Sequence, residues 1–252
     1  APKTRHYSFE KVCDVLGLGR AQLQTVPLGR DFTMSVDALR EQLRDLAREH
    51  RPVLAVVAVC GTTEEGSIDR LHEVAKLRTE MAQHGLHFWL HCDAAWGGYV
   101  ASLLWDENGQ RKSLDAIRNF LRTPDCPCED WPSRDWYEAL CALSEADSVT
   151  IDPHKLGYIP YPAGAIVFRS PEVKQAIACV APYIATSGEK EDFIGNFILE
   201  GSKPGAAAAA CYLSHQMIPR AKNRSDSLVE VLLYLLAGLP ILQVIANLSK
   251  VR

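Results

Sequence analysis

Four short apolar runs rich in β-branched residues punctuate the chain: Leu54 to Cys60, His87 to Asp93, Ser148 to Ile151 and Ala165 to Phe168. Runs that are apolar on both faces predict strands covered by helices on each side. Between them, apolar positions recur at helical spacing and predict helices over Phe9 to Leu16, Val36 to Glu49, Leu71 to His84, Glu138 to Leu143 and Pro171 to Ala178. The order helix, strand, helix, strand is that of an α/β domain with a mainly parallel sheet. Ile151 to Ala165 leaves no room for a crossover helix, so the last two strands are expected to run antiparallel.

The remaining stretches are less regular. Trp105 to Trp136 is polar and rich in Pro and Asp, and reads as an excursion with one short helix near Leu114 to Leu121. Ala206 to Ala210 starts a helix well, because Ala has the best intrinsic propensity. Leu228 to Leu248 is the most apolar stretch, yet Glu230, Pro240, Gln243 and Asn247 interrupt it. A buried helix broken at Gly238-Leu239-Pro240 fits it better than a membrane span.

Composition adds little. Of 252 residues 47% are hydrophobic and 23% charged, and the net charge of -4 offers no basic surface for nucleic acid. A small anionic or zwitterionic ligand is the better expectation. Most of the eight cysteines sit alone within apolar runs, where the thiol acts as a small hydrophobe, so they are read as reduced and the protein as cytoplasmic. Cys126-Pro-Cys128 is the one close pair; without a second pair or a nearby His it reads as a loop with two thiols, not a zinc site. No charged leader with an apolar core opens the sequence, so no secretory signal is expected.

In open α/β sheets ligands gather at the carboxyl ends of strands. Here those ends carry "GTTEEG", "DAAWGGY" and "DPHKLGY". Lys155 follows a strand and a proline that disfavours helix, with Leu156, Gly157, Tyr158 and Ile159 around it. A partly desolvated amine loses its proton more easily and attacks carbonyls, which suits a Schiff-base lysine; a solvated surface lysine is the plain alternative. Asp93 ends an apolar strand before Ala94, Ala95, Gly97 and Gly98, small residues that let a flat group approach the backbone, although a turn-capping Asp would look the same. His91 and Asp93 alternate onto one strand face and also invite a metal, without an evident third ligand. A lysine to carry an aldehyde cofactor and an acid to hold a ring nitrogen protonated are the pair that pyridoxal phosphate sites require.

"HCDAAWGGY" and "SVTIDPHKLGY" together resemble the group II pyridoxal phosphate-dependent amino-acid decarboxylases. "HYSFEKVCDVLGLG", "VVAVCGTTEEGSID" and "EGSKPGAAAAA" resemble the same family in the same order. The spellings "GTTEEG", "DPHKLGYIPYPAG" and "GSKPG" are most similar to its bacterial tyrosine and aspartate decarboxylase branch. The similarity runs from about Thr4 to Pro219, which implies a partial cofactor-binding domain over 1-219 and a divergent helical segment over 220-252. The implied fold is the fold type I large domain, a mainly parallel sheet sandwiched by helices and incomplete at both ends.

The resemblance also implies roles. Lys155 would carry pyridoxal 5'-phosphate as a Schiff base, Asp93 would pair with the pyridine nitrogen, His6 would stack on the ring and Ala95 would lie beneath it. Thr62 would lie near a cofactor oxygen or the substrate carboxylate. Ser148, Asp152 and His154 would lie near the phosphate or hold the lysine loop, and Ser202 would reach the phosphate bound by a neighbouring subunit, which implies a homodimer. Read without the family, His6 is a surface or capping residue, His154 hydrogen-bonds backbone, and "GSKPG" is an ordinary helix start. The implied reaction is decarboxylation of a small amino acid, tyrosine or an acidic one; a non-catalytic fragment, or a transaminating relative, would share these motifs.

Overall fold

The computed structural model describes residues 1–106, 108–122, 130–160, 163–180 and 194–217. The Leu228 to Leu248 stretch, the 220-252 segment and the Cys126/Cys128 pair lie outside them.

Four strands form one sheet in the order of the chain: β1 (Ala55–Val59), β2 (Trp89–Asp93), β3 (Ser148–Ile151) and β4 (Ala165–Phe168). The first three are parallel, and β4 runs antiparallel to β3, as the short connection requires. Register puts Val59 beside Asp93 and Asp93 beside Thr150 at the carboxyl edge.

Alternation then sorts the side chains. Val56, Ala58, Leu90 and Cys92 face the main core, where they meet Leu39 and Leu43 of α2 (Val36–Arg48) and Leu71, Val74, Leu77 and Met81 of α3 (Leu71–Gln83). These helix positions recur at three and four residues, one stripe of each helix. Trp89, His91 and Asp93 take the opposite face of β2, with Ser148 and Thr150 of β3 on the same side. One face of the sheet is therefore core and the other is polar at its carboxyl end.

The helices begin where the side-chain chemistry allows. Ser35 caps α2 by accepting from the Ala38 N–H at 3.2 Å. Ser113 does the same for α4 (Leu114–Leu121) and Ser133 for α5 (Arg134–Cys141), so the helix expected from Glu138 starts four residues earlier, at Arg134. The helix expected to begin near Phe9 is α1 (Ser8–Val15); α6 covers Glu172–Ile177 and α7 Gly205–Met217. Gly97–Leu104, not foreseen as an element, forms 3₁₀ turns after β2.

Among the described residues, coverage of the sheet is incomplete at β4. Ile166 and Val167 are 54% and 53% exposed, and β4, α6 and α7 border an apolar cleft of about 1500 Å³. No helix among the described residues is long and apolar enough to cross a membrane. The cysteines that are described, Cys13, Cys60, Cys92, Cys141, Cys179 and Cys211, are free thiols.

Candidate active site

Three turns at the carboxyl edge build the site. After β1, the "GTTEEG" turn closes on itself: Ser67 N–H donates to Thr62 Oγ1 at 3.0 Å, and Thr62 Oγ1 lies 3.0 Å from Glu65 Oε2. After β2, the chain doubles back so tightly that Gly97 N–H donates to the Cys60 carbonyl at 2.9 Å. A Cβ on Gly97 would fall 2.4 Å from that carbonyl oxygen, so only glycine fits. After β3, Asp152 to Tyr158 curl into a compact turn, with Lys155 N–H donating to the Asp152 carbonyl and Ile159 N–H to that of Pro153. Tyr158 is held at φ 54°, a left-handed conformation uncommon for a bulky residue.

Below the turns, Asp69 fixes the end of β1. Its carboxylate is 1% exposed and accepts from the Met34 N–H at 2.6 Å and the Val59 N–H at 2.8 Å. Burial pushes its pKa up to about 6, although both backbone hydrogen bonds pull the other way.

The three turns and the start of α1 enclose a cavity of about 230 Å³. His6, Thr62, Asp93, Ala95, Asp152 and Lys155 all line it, so the structure brings together six of the nine residues expected at the site. Asp93 is buried, and its Oδ1 accepts from the Ala95 N–H at 3.2 Å. Lys155 Nζ lies 2.9 Å from Asp152 Oδ2. His6 Nδ1 is 2.8 Å from Ser8 Oγ, which fixes the ring at the mouth, tilted against Tyr7.

The other three residues sit elsewhere. His154 holds the lysine turn to the approach to β4: its Nδ1 lies 2.5 Å from the Ala163 carbonyl and its Nε2 3.7 Å from Asp152 Oδ2. Ser148 does not line this cavity. It is the first residue of β3, about 6.6 Å behind Thr150 at the usual rise per residue, and its hydroxyl meets Trp89 and His91. Ser202 is exposed and does not line this chain's cavity.

Thr150, Thr4, Phe9 and Trp96 line the cavity without having been singled out. Thr150 was legible as Asp93's neighbour only once the register was known. His91 and Asp93 share a strand face, but no group of three His, Cys, Asp or Glu side chains among the described residues could hold a metal ion.

The residues present fit a flat, polar ring with an electrophilic carbon. Among the described residues, Thr4 Oγ1, at the cavity wall, is buried without a hydrogen-bond partner. Asp93, among the described residues, spends one hydrogen bond on Ala95, leaving most of a carboxylate's accepting capacity facing inward. Groups so buried call for a partner that the cavity can receive.

An α/β chain with a carboxylate and an amine on one strand-edge cavity has the design of a fold type I cofactor enzyme. Residues 1–106 match the conserved domain described as "Pyridoxal-dependent decarboxylase conserved domain". The chain is 41% identical over 86% of its length to an L-tyrosine decarboxylase of Enterococcus faecium, and 36% identical over 80% to an aspartate 1-decarboxylase of Aliivibrio fischeri. It covers 36% and 30% of those proteins, about a third of their length. Its fold resembles the crystal structure of an Oryza sativa TDC with PLP and tryptamine, at a TM-score of 0.62 and 19% identity, over 91% of this chain and 40% of that one. The chain belongs to the group II pyridoxal phosphate-dependent amino-acid decarboxylase family, of which it carries a part.

Proposed function

We propose that this chain supplies the catalytic lysine segment of a pyridoxal phosphate-dependent decarboxylase that converts an L-amino acid, of tyrosine or acidic type, to its amine and carbon dioxide. The observation that carries the reading is the convergence of Lys155 and Asp93 on one cavity, with His6 and Ala95 at its walls. The bound cofactor would supply an electron sink for the pair of electrons left when the carboxylate departs. Everything else falls to the protein's own side chains.

Lys155 is the amine that would hold the cofactor, and Asp152, at 2.9 Å, keeps that amine at the cavity instead of in water. Asp93 would hold a proton at the ring nitrogen, because an adjacent negative charge favours the protonated form. His6 would press on one ring face while Ala95, lacking bulk, leaves the other open. Thr62 would contact a cofactor oxygen or the substrate carboxylate. Ser202, exposed on its own chain, would serve a partner's site in a homodimer working in the cytoplasm.

The test is spectroscopic. Incubation with pyridoxal 5'-phosphate should give a visible absorbance that Lys155→Ala abolishes and borohydride fixes at residue 155. Carbon dioxide and amine release from tyrosine, aspartate and glutamate then defines the reaction. Keto-acid without carbon dioxide would overturn decarboxylation in favour of transamination. Absence of any cofactor-dependent absorbance in the dimeric protein would leave a non-catalytic chain.

A further inference from the structure

A row of hydrogen-bonded side chains runs into the cavity from behind. Trp89 Nε1 donates to Ser148 Oγ at 2.7 Å, Ser148 Oγ lies 2.8 Å from His91 Nδ1, and His91 Nε2 lies 3.2 Å from Thr150 Oγ1. All four residues stand on the polar face of β2 and β3, and Thr150 lines the cavity with Asp93 and Lys155. The Phe9 ring of α1 approaches His91, with centroids 6.2 Å apart.

The chemistry of the groups gives this row a direction. An indole N–H only donates, so Ser148 Oγ accepts from Trp89. Ser148 is 3% exposed, and its own proton needs an acceptor, since a buried hydroxyl left unpaired is costly. His91 Nδ1 is the side-chain acceptor in reach. The ring proton then sits on Nε2 and is donated to Thr150 Oγ1, and the Thr150 hydroxyl proton is left pointing onward. The opposite arrangement, with the proton on Nδ1, makes Ser148 accept twice and strands its proton in the sheet.

We infer that His91 is a positioning residue: held between Ser148 and Thr150 as the neutral Nε2–H form, it makes the Thr150 hydroxyl a donor into the cavity beside Asp93. Burial lowers the pKa of the imidazole from its ordinary value, against the pull of Asp93. A neutral ring also leaves the Asp93 charge uncompensated by its strand neighbour. Asp93 is the charged group on the same face; Trp89, Ser148, Thr150 and Phe9 supply the rest of the ring's surroundings. A donor at this point selects an anionic oxygen on whatever molecule fills the cavity. That the molecule is pyridoxal phosphate rests on the function proposed above; the direction of the row does not.

The experiment is nitrogen NMR of the protein labelled at histidine, with His91→Gln to assign the signal. The expected result is an Nε2–H tautomer at neutral pH, shifted toward Nδ1–H in Trp89→Phe, which frees the Ser148 lone pair. Thr150→Val should weaken pyridoxal phosphate binding by about tenfold, the scale of one hydrogen bond to an anionic oxygen, and Thr150→Ser should restore it. An Nδ1–H or doubly protonated His91 in the parent protein would overturn the inference. So would unchanged cofactor affinity in Thr150→Val while Lys155→Ala still loses the visible band. The expected tautomer in a protein that binds no cofactor would instead sink the proposed function and leave the row standing.

Discussion

Lys155 and Asp152, three residues apart, form an ion pair of 2.9 Å that closes one side of the cavity, with both side chains largely shielded from water. The turn makes the pair local: Lys155 N–H donates to the Asp152 carbonyl, so the two side chains leave the backbone close together. Asp152 in turn is anchored by its own N–H on the Ala95 carbonyl at 3.3 Å. The lysine is thereby tied to the same turn that carries Asp93.

Asp152→Ala should free the lysine to trail into solvent. We expect the fraction of Lys155 captured by pyridoxal phosphate and fixed by borohydride at short times to fall several-fold. Asp152→Asn retains an oxygen that accepts from Nζ and should stay within about twofold, since position rather than charge is what the turn provides. Equal losses in both variants, read by mass spectrometry of the labelled peptide, would show that the charge matters more than the anchor.

Gly97→Ala tests how closely β1 and β2 end together. Its Cβ would stand 2.4 Å from the Cys60 carbonyl oxygen and 2.7 Å from Cys60 Sγ, and a strand-end backbone has little room to yield. Overpacking of this kind costs about 1–3 kcal/mol, which corresponds to a fall in Tm of about 5 °C for a domain of this size. The turn it displaces carries Ala95, so cofactor affinity should fall too. Calorimetry showing no change in Tm would mean that the turn relaxes freely.

The sheet was legible because buried strands spell themselves in β-branched runs, and because Ile151 and Ala165 are too close in sequence for a parallel return. Lys155 and Asp93 were legible for a related reason: a charged group directly after an apolar run stands at a strand's end. What escaped was whatever depends on the space between strands. His91, Ser148 and Thr150 form one row only in the register that sets His91 against Ser148. Ser148 shares a sequence block with Lys155, yet lies at the far end of the same strand. Asp69 follows a polar turn, and nothing in "GSID" announces that its carboxylate is buried and accepts from the Met34 and Val59 N–H groups. The start of α5 was hidden because its cap, Ser133, sits inside a stretch that reads as loop.

The outer face of α1 bears on the proposed dimer. Val12, Val15 and Leu16 are 48%, 79% and 62% exposed, and Leu18 just beyond is 43% exposed. Single exposed apolar residues are ordinary, but four within seven positions, next to the His6 mouth of the cavity, form a patch. Replacing both Val15 and Leu16 by Asp should weaken self-association by well over tenfold, since each buried aliphatic side chain contributes about 1.5–3 kcal/mol. Sedimentation velocity across a concentration series reads this directly. An unaltered dimer would move the interface to another face.

Asp69 gives the fold a dependence on pH whose sign can be worked out. Its pKa in the folded protein is about 6, against an ordinary value of 3.8, because burial penalises the charge more than the Met34 and Val59 N–H groups reward it. Between those values the folded chain holds a proton that the unfolded chain has released. The contribution of Asp69 to stability is therefore full below about pH 4, declines as pH rises toward 6, and is flat above that. The swing is on the order of 3 kcal/mol, two pH units at 1.36 kcal/mol each. Asp69→Asn removes the titration, so the difference in stability between parent and variant, from urea unfolding at pH 4, 5, 6 and 7, should change over that window and then level off. A difference between the two proteins that stays constant from pH 4 to 7 would mean that Asp69 remains ionised throughout, held by its two backbone donors.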